Sequence, residues 1–116
     1  MATGTIKNVE PKLFTLTGNT ALSSSKGYGI YFPDGKVVLI IGEAANGSDI
    51  NTSITLATIP SEYRPSSQRG GVAYMSGVSG NPYGTHYLAV ESDGRIRQGA
   101  SSVARSVFYA ALYTLP

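Results

Sequence analysis

Two β-rich runs, Tyr28-Gly29-Ile30-Tyr31-Phe32 and Lys36-Val37-Val38-Leu39-Ile40-Ile41, stand on either side of Pro33-Asp34-Gly35. Aromatic and β-branched residues suit a pleated backbone, and Pro-Asp-Gly supplies a preset φ, a side chain that bonds its own backbone and a residue free to take positive φ. The spacing predicts a hairpin. Its second strand is apolar from 37 to 41, whereas a strand with one wet face alternates, so both of its faces are expected to be covered. The pattern recurs in His86-Tyr87-Leu88-Ala89-Val90-Glu91, Ser92-Asp93-Gly94 and Arg95-Ile96-Arg97-Gln98, which predict a second hairpin.

Between the hairpins, Ser53-Ile54-Thr55-Leu56-Ala57-Thr58-Ile59 reads as a largely buried strand. Pro60 ends it, since proline has no N–H to donate, and Pro65 bounds a short corner containing Tyr63 and Arg64. Residues 12–17 predict another strand, residues 72–76 a short one, and residues 106–114 a last one that is again apolar on both faces. For residues 101–113 a helix competes, because Val103, Val107 and Ala111 recur every four positions; Val, Phe and Tyr and the lack of a capping box favour the strand. Residues 23–27, 42–53, 66–71 and 77–85 read as loops or connections. Residues 1–11 read as a flexible lead or linker, and 12–116 as one domain.

At 116 residues a chain buries roughly two thirds of the surface it exposes unfolded, enough for one core. Charged residues are only 14% of the chain, so much of the surface is polar and uncharged or is covered by another subunit. No cysteine is present, which removes disulfides and thiolate metal sites. A net charge of +2 is too mild to point to nucleic acid. No basic-then-apolar leader opens the chain and no apolar run reaches spanning length, so membrane insertion is not expected. Seven or eight short strands with Gly, Pro, Asn and Asp turns predict an all-β antiparallel sandwich or jelly-roll-like barrel. Two strands apolar on both faces are more than a small sandwich needs: a thick core is the bland reading, and a subunit interface, which the low charge and eight tyrosines favour, is the sharper one.

The order of these pieces resembles a known family. Tyr31-Phe32-Pro33-Asp34-Gly35-Lys36-Val37-Val38, the run 54–60, Ser61-Glu62-Tyr63-Arg64-Pro65-Ser66, Val90-Glu91-Ser92-Asp93-Gly94-Arg95-Ile96 and an apolar last strand are similar to the head domains of tail-tip and baseplate proteins from phages of Gram-positive bacteria. The resemblance implies a homotrimeric knob on the virion that binds a saccharide of the host cell wall, next to other tail or baseplate proteins. The chain departs from the family's phrase at Glu62, where Gly is usual, a residue that alone takes positive φ without cost. Where some heads carry His, Asp and Trp around the late turn, this chain holds Tyr87, Ala89 and Gln98. The family's glycan residues are therefore not carried onto this chain.

Candidate saccharide contacts come from the residues themselves. Sugar binding needs an aromatic face for C–H groups and fixed polar groups for hydroxyls. Tyr83, His86 and Tyr87 in or beside the Gly/Pro/Asn loop, and Asp93, Arg95 and Arg97 on the second hairpin, are the candidates, and the two arginines would suit an anionic wall polymer. The bland readings are a lone surface Tyr-His pair and an edge strand protected by charge. Pro60, Tyr63, Arg64 and Pro65 are expected to lock the corner. His86 is the only histidine, and no nucleophile elbow or phosphate loop is present, so no catalytic residue, metal or cofactor is expected. A structural domain of the baseplate or tail fibre, without saccharide binding, is the alternative.

Overall fold

In a computed structural model of the chain we describe residues 10–76, 84–99 and 104–116. The first hairpin joins β3 (Ser24–Phe32) to β4 (Val37–Ile50), with Tyr28 opposite Ile41 and Phe32 opposite Val37. Its turn closes with the Lys36 N–H donating to the Pro33 carbonyl, and Gly35 has φ 85°. Before it come β1 (Lys12–Thr15) and β2 (Thr17–Gly18); after it come β5 (Ala57–Thr58), a 3-10 turn (Ser61–Tyr63), β6 (Arg69–Ser76), β7 (Gly84–Val90), β8 (Arg95–Gln98) and β9 (Ala104–Thr114).

All nine strands belong to one sheet, in the order β1-β3-β4-β9-β6-β7-β8-β5-β2, and every pairing is antiparallel. Its two edges, β1 and β2, are separated in the chain by Leu16 alone. The Leu16 N–H donates to the Gly27 carbonyl on the β3 side, and the next residue, Thr17, pairs with Thr58 on the β5 side. One stretch of backbone thus serves both edges, and the sheet curls into a nearly closed barrel that leaves little unpaired edge. The expected all-β sandwich or barrel is the architecture found.

Several boundaries differ from the sequence reading. Residues 24–27, expected in a loop, extend β3, because β4 lies alongside to complete their ladder. Residues 42–50, also expected as a loop, continue β4 against β9, with a register shift between Ala45 and Ile50 that absorbs Asn46-Gly47-Ser48. There Asn46 accepts from the N–H and hydroxyl of Ser23, and the Gly47 N–H donates to the Ser23 hydroxyl. Arg69, Gly70 and Gly71, read as a connection, belong to β6. Conversely, the expected strand 53–59 shrinks to Ala57–Thr58, paired with β2 and β8, because a turn takes up its start: the Ile54 N–H donates to the Asn51 carbonyl and the Ser53 N–H to the Asn51 side chain. Isolated bonds continue the pairing at Leu56, to Ile96, and at Ile59, to Gly94. The helix considered for residues 101–113 does not form; β9 occupies the described part of that stretch.

The barrel interior is filled by inward residues of β4, β7, β8 and β9 and by Leu56 and Ile59 on either side of β5. Val38, Ile40, Leu56, Ile59, Leu88, Val90, Ile96 and Val107 are all fully buried. Gln98 is buried among them, its side-chain amide donating to the Ile50 carbonyl at 2.9 Å. At one end the corner acts as a plug. Tyr63 stacks on Phe14 with ring centres 4.2 Å apart and tilts against Tyr31 at 5.3 Å, while the Tyr113 hydroxyl donates to the Tyr63 carbonyl. Phe14 can lie there because Gly29, opposite it on β3, has no side chain; a Cβ would collide with the ring.

Candidate functional site

The corner and the second hairpin are tied to one another. Arg64 Nε donates to the Ile59 carbonyl at 2.8 Å, and Gly94, at φ 91°, sits close enough that a Cβ would come within 2.5 Å of that Nε and 2.7 Å of that carbonyl. Pro60 precedes the 3-10 turn and Pro65 is buried behind it. These residues work on one another and on the barrel end.

Of the six candidate saccharide contacts, Tyr83 and the side chain of His86 lie outside the described residues. Tyr87 is half exposed on β7, its ring laid across Gly70 and Gly99. At the turn, Arg95 pairs with Asp93 at 2.8 Å, and both are about half exposed. Hydrogen bonds from the backbone and then the side chain of Arg95 hold the Asp93 carboxyl below its ordinary pKa. Arg97 is taken up differently: it pairs with Glu91 and gives a further bond to the Thr52 carbonyl at 2.8 Å. Bonds from Arg97 and then Gln68 lower the Glu91 pKa. The arginines of this hairpin thus spend their charge within the chain. Among the described candidates, Arg95 and Arg97 are each engaged by a carboxylate of the chain itself.

What the structure does bring together lies on the outside of β1, β3, β4, β9, β6 and β7. Pairing register aligns outward residues in rows across these strands. One row runs Leu13, Ile30, Leu39, Leu112; the next runs Thr15, Tyr28, Ile41, Ala110, Val72, Tyr87; the third runs Lys26, Glu43, Phe108, Tyr74. Eight of these side chains, Leu13, Tyr28, Ile41, Val72, Tyr74, Tyr87, Phe108 and Leu112, stand 45–79% exposed. The cause is the pattern noted in the sequence. Strands β4 and β9 are apolar at successive positions, so when Val38, Ile40, Val107 and Ala111 turn inward, Ile41, Phe108 and Leu112 must turn out. Runs 37–41 and 107–113 carried that signal; Leu13, Tyr28, Val72 and Tyr74 were missed, because each strand alone looks ordinary and only the register joins them.

Two depressions mark this face. One, of about 420 Å³, lies between β1, β3 and β4 and is walled by Leu13, Tyr28, Ile30, Leu39 and Ile41. The other, of about 450 Å³, lies between Tyr28 and Phe108, with Lys26 and Glu43 at its side and Gly42 and Tyr109 beneath. Among the described residues no group of three or more His, Asp or Glu side chains is placed to hold a metal ion. Comparison with known protein families finds no family that matches the chain, and comparison with curated proteins finds none that is similar.

Proposed function

We propose that this chain is a self-assembling, non-enzymatic head domain of a phage tail tip or baseplate, which attaches the virion to a saccharide of the bacterial cell wall. The observation that supports it is the apolar outer face. With a large side chain presenting on the order of 150–250 Å² when fully exposed, the eight side chains leave on the order of 800 Å² of mostly apolar surface. The largest apolar patch on a monomer is typically about 300–600 Å². A standard protein–protein interface takes about 800 Å² from each partner. The face is thus of the size that a second copy of the chain would cover, and the low charge of the sequence agrees with a surface partly removed from water. The phage assignment and the saccharide rest on the resemblance described above, and trimerisation is the assembly that the resemblance implies.

Light scattering on the purified chain, joined to binding of a labelled chain to Gram-positive cells competed by purified wall polysaccharide, tests the reading. A multimer at micromolar concentration and saturable, competed binding are expected. A monomer overturns the assembly; binding that polysaccharide does not compete overturns the saccharide. A structural domain of the baseplate without saccharide binding is the second reading, and the self-paired arginines of the β7–β8 hairpin favour it. Tight binding to a baseplate protein with no cell binding would establish it.

A further inference from the structure

The groove between Tyr28 and Phe108 differs from the rest of the outer face in its chemistry. Lys26 and Glu43 face each other in register across β3 and β4, yet the ammonium and carboxylate make no ion pair or hydrogen bond with one another or with any other described residue. Three other opposite charges among the described residues are paired: Arg95 with Asp93, Arg97 with Glu91, Arg105 with Asp49. Tyr109, buried under the groove against Gly27 and Gly42, keeps a hydroxyl with no partner. Tyr28 is 58% and Phe108 49% exposed. Two aromatic walls and an unpaired acceptor and donor thus converge on a depression of about 450 Å³, within the size range of small-ligand sites.

We propose that this groove is a pyranose-binding site, the one by which the head engages its saccharide. The aromatic walls receive the C–H faces of the ring, the Glu43 carboxylate accepts from sugar hydroxyls, and the Lys26 ammonium donates to a hydroxyl or acyl oxygen. An apolar occupant would leave both charges buried and unpaired, which is costly. The groove also stands where the face changes character. Its Lys26, Glu43 and Phe108 side lies two side-chain repeats, about 13 Å, from the row Leu13, Ile30, Leu39, Leu112. Its Tyr28 and Ile41 wall lies one repeat away and is shared with the first depression, and the next outward positions are Ser24, Ala45 and Ser106. A neighbouring copy seated on the leucine row leaves the groove open when Tyr28 and Phe108 stay outside the interface, and the copy then covers less than the whole apolar face. This inference rests on the attachment reading and moves the sugar from the β7–β8 hairpin to the β3–β4–β9 face.

The test is titration of the full chain with purified Gram-positive wall polysaccharide and with the methyl glycosides of glucose, galactose, rhamnose and N-acetylglucosamine, followed by saturation-transfer NMR and calorimetry. Glu43→Gln, which keeps shape, and Phe108→Ala are expected to weaken binding by about tenfold or more, while Arg95→Ala leaves it unchanged. Melting curves and light scattering on each variant separate loss of the site from loss of fold or assembly. If the wild-type chain binds polysaccharide and both groove variants bind equally well, or if Arg95→Ala abolishes binding, the groove is not the site although the attachment reading stands. If the wild-type chain binds none of these probes, both fall.

Discussion

Leu112→Glu separates the two jobs of β9. Leu112 is 64% exposed and its neighbour Ala111 faces the core. Full burial of a leucine side chain stabilises by about 1.5–3 kcal/mol, so covering the exposed part in an interface contributes about 1–2 kcal/mol per subunit. A carboxylate in its place loses that and must also be desolvated beside Leu39 without a partner, which costs several kcal/mol more. Together these exceed about 3 kcal/mol per contact, or more than 100-fold in dissociation constant. In the isolated chain the same position is wet, and a surface substitution there moves stability by only about 0.5 kcal/mol. Light scattering should therefore show a monomer with an unchanged circular dichroism spectrum at concentrations where the wild-type chain is assembled. Ile40→Ala makes the contrast: the side chain is fully buried one position from outward Ile41, and its loss costs about 2–5 kcal/mol of fold stability. If Leu112→Glu keeps the wild-type mass, the outer face is not the interface and the area argument fails.

Tyr63→Ala should lower stability by about 2–3 kcal/mol through loss of its packing on Phe14 and Tyr31, about 10 °C in a chain of this size; Tyr63→Phe should be near neutral, and a flat result for Tyr63→Ala in thermal melts would deny the corner its plugging role. Gly94→Ala should cost about 1–3 kcal/mol by denaturant titration, since it combines strain at φ 91° with a clash against Arg64 Nε; full wild-type stability would show that the turn relaxes freely. The Arg97 and Gln68 bonds hold the Glu91 carboxyl below its ordinary 4.5, so the unfolded chain takes up that proton first as pH falls. The stabilisation is complete above pH 4.5 and is lost as pH drops through and below that value, so urea midpoints at pH 7 and pH 3 should differ less in Glu91→Gln than in wild type.

Local chemistry alone determined the two hairpins. Pro33-Asp34-Gly35 and Ser92-Asp93-Gly94 carry their own turn geometry, which folds the runs beside them back on each other. The all-β class followed from the same residues, and so did the warning that 37–41 and 107–113 carry an apolar face too many. Strand extent did not follow. Residues 42–50 look like a loop and form a strand because β9 arrives from about sixty residues away to satisfy their backbone groups; residues 53–56 look like a strand, but the turn at Asn51 claims the Ser53 and Ile54 N–H groups. A ladder belongs to two segments, and the second is invisible in the first. The outer face is of the same kind. Leu13, Tyr28, Ile41, Phe108 and Val72 are scattered along the chain, and only register across five strands makes them one surface. Likewise Arg97 looked free to meet a ligand until the fold set Glu91 and the Thr52 carbonyl against it, whereas Lys26 and Glu43, unremarked in sequence, were left facing each other with their charges unspent.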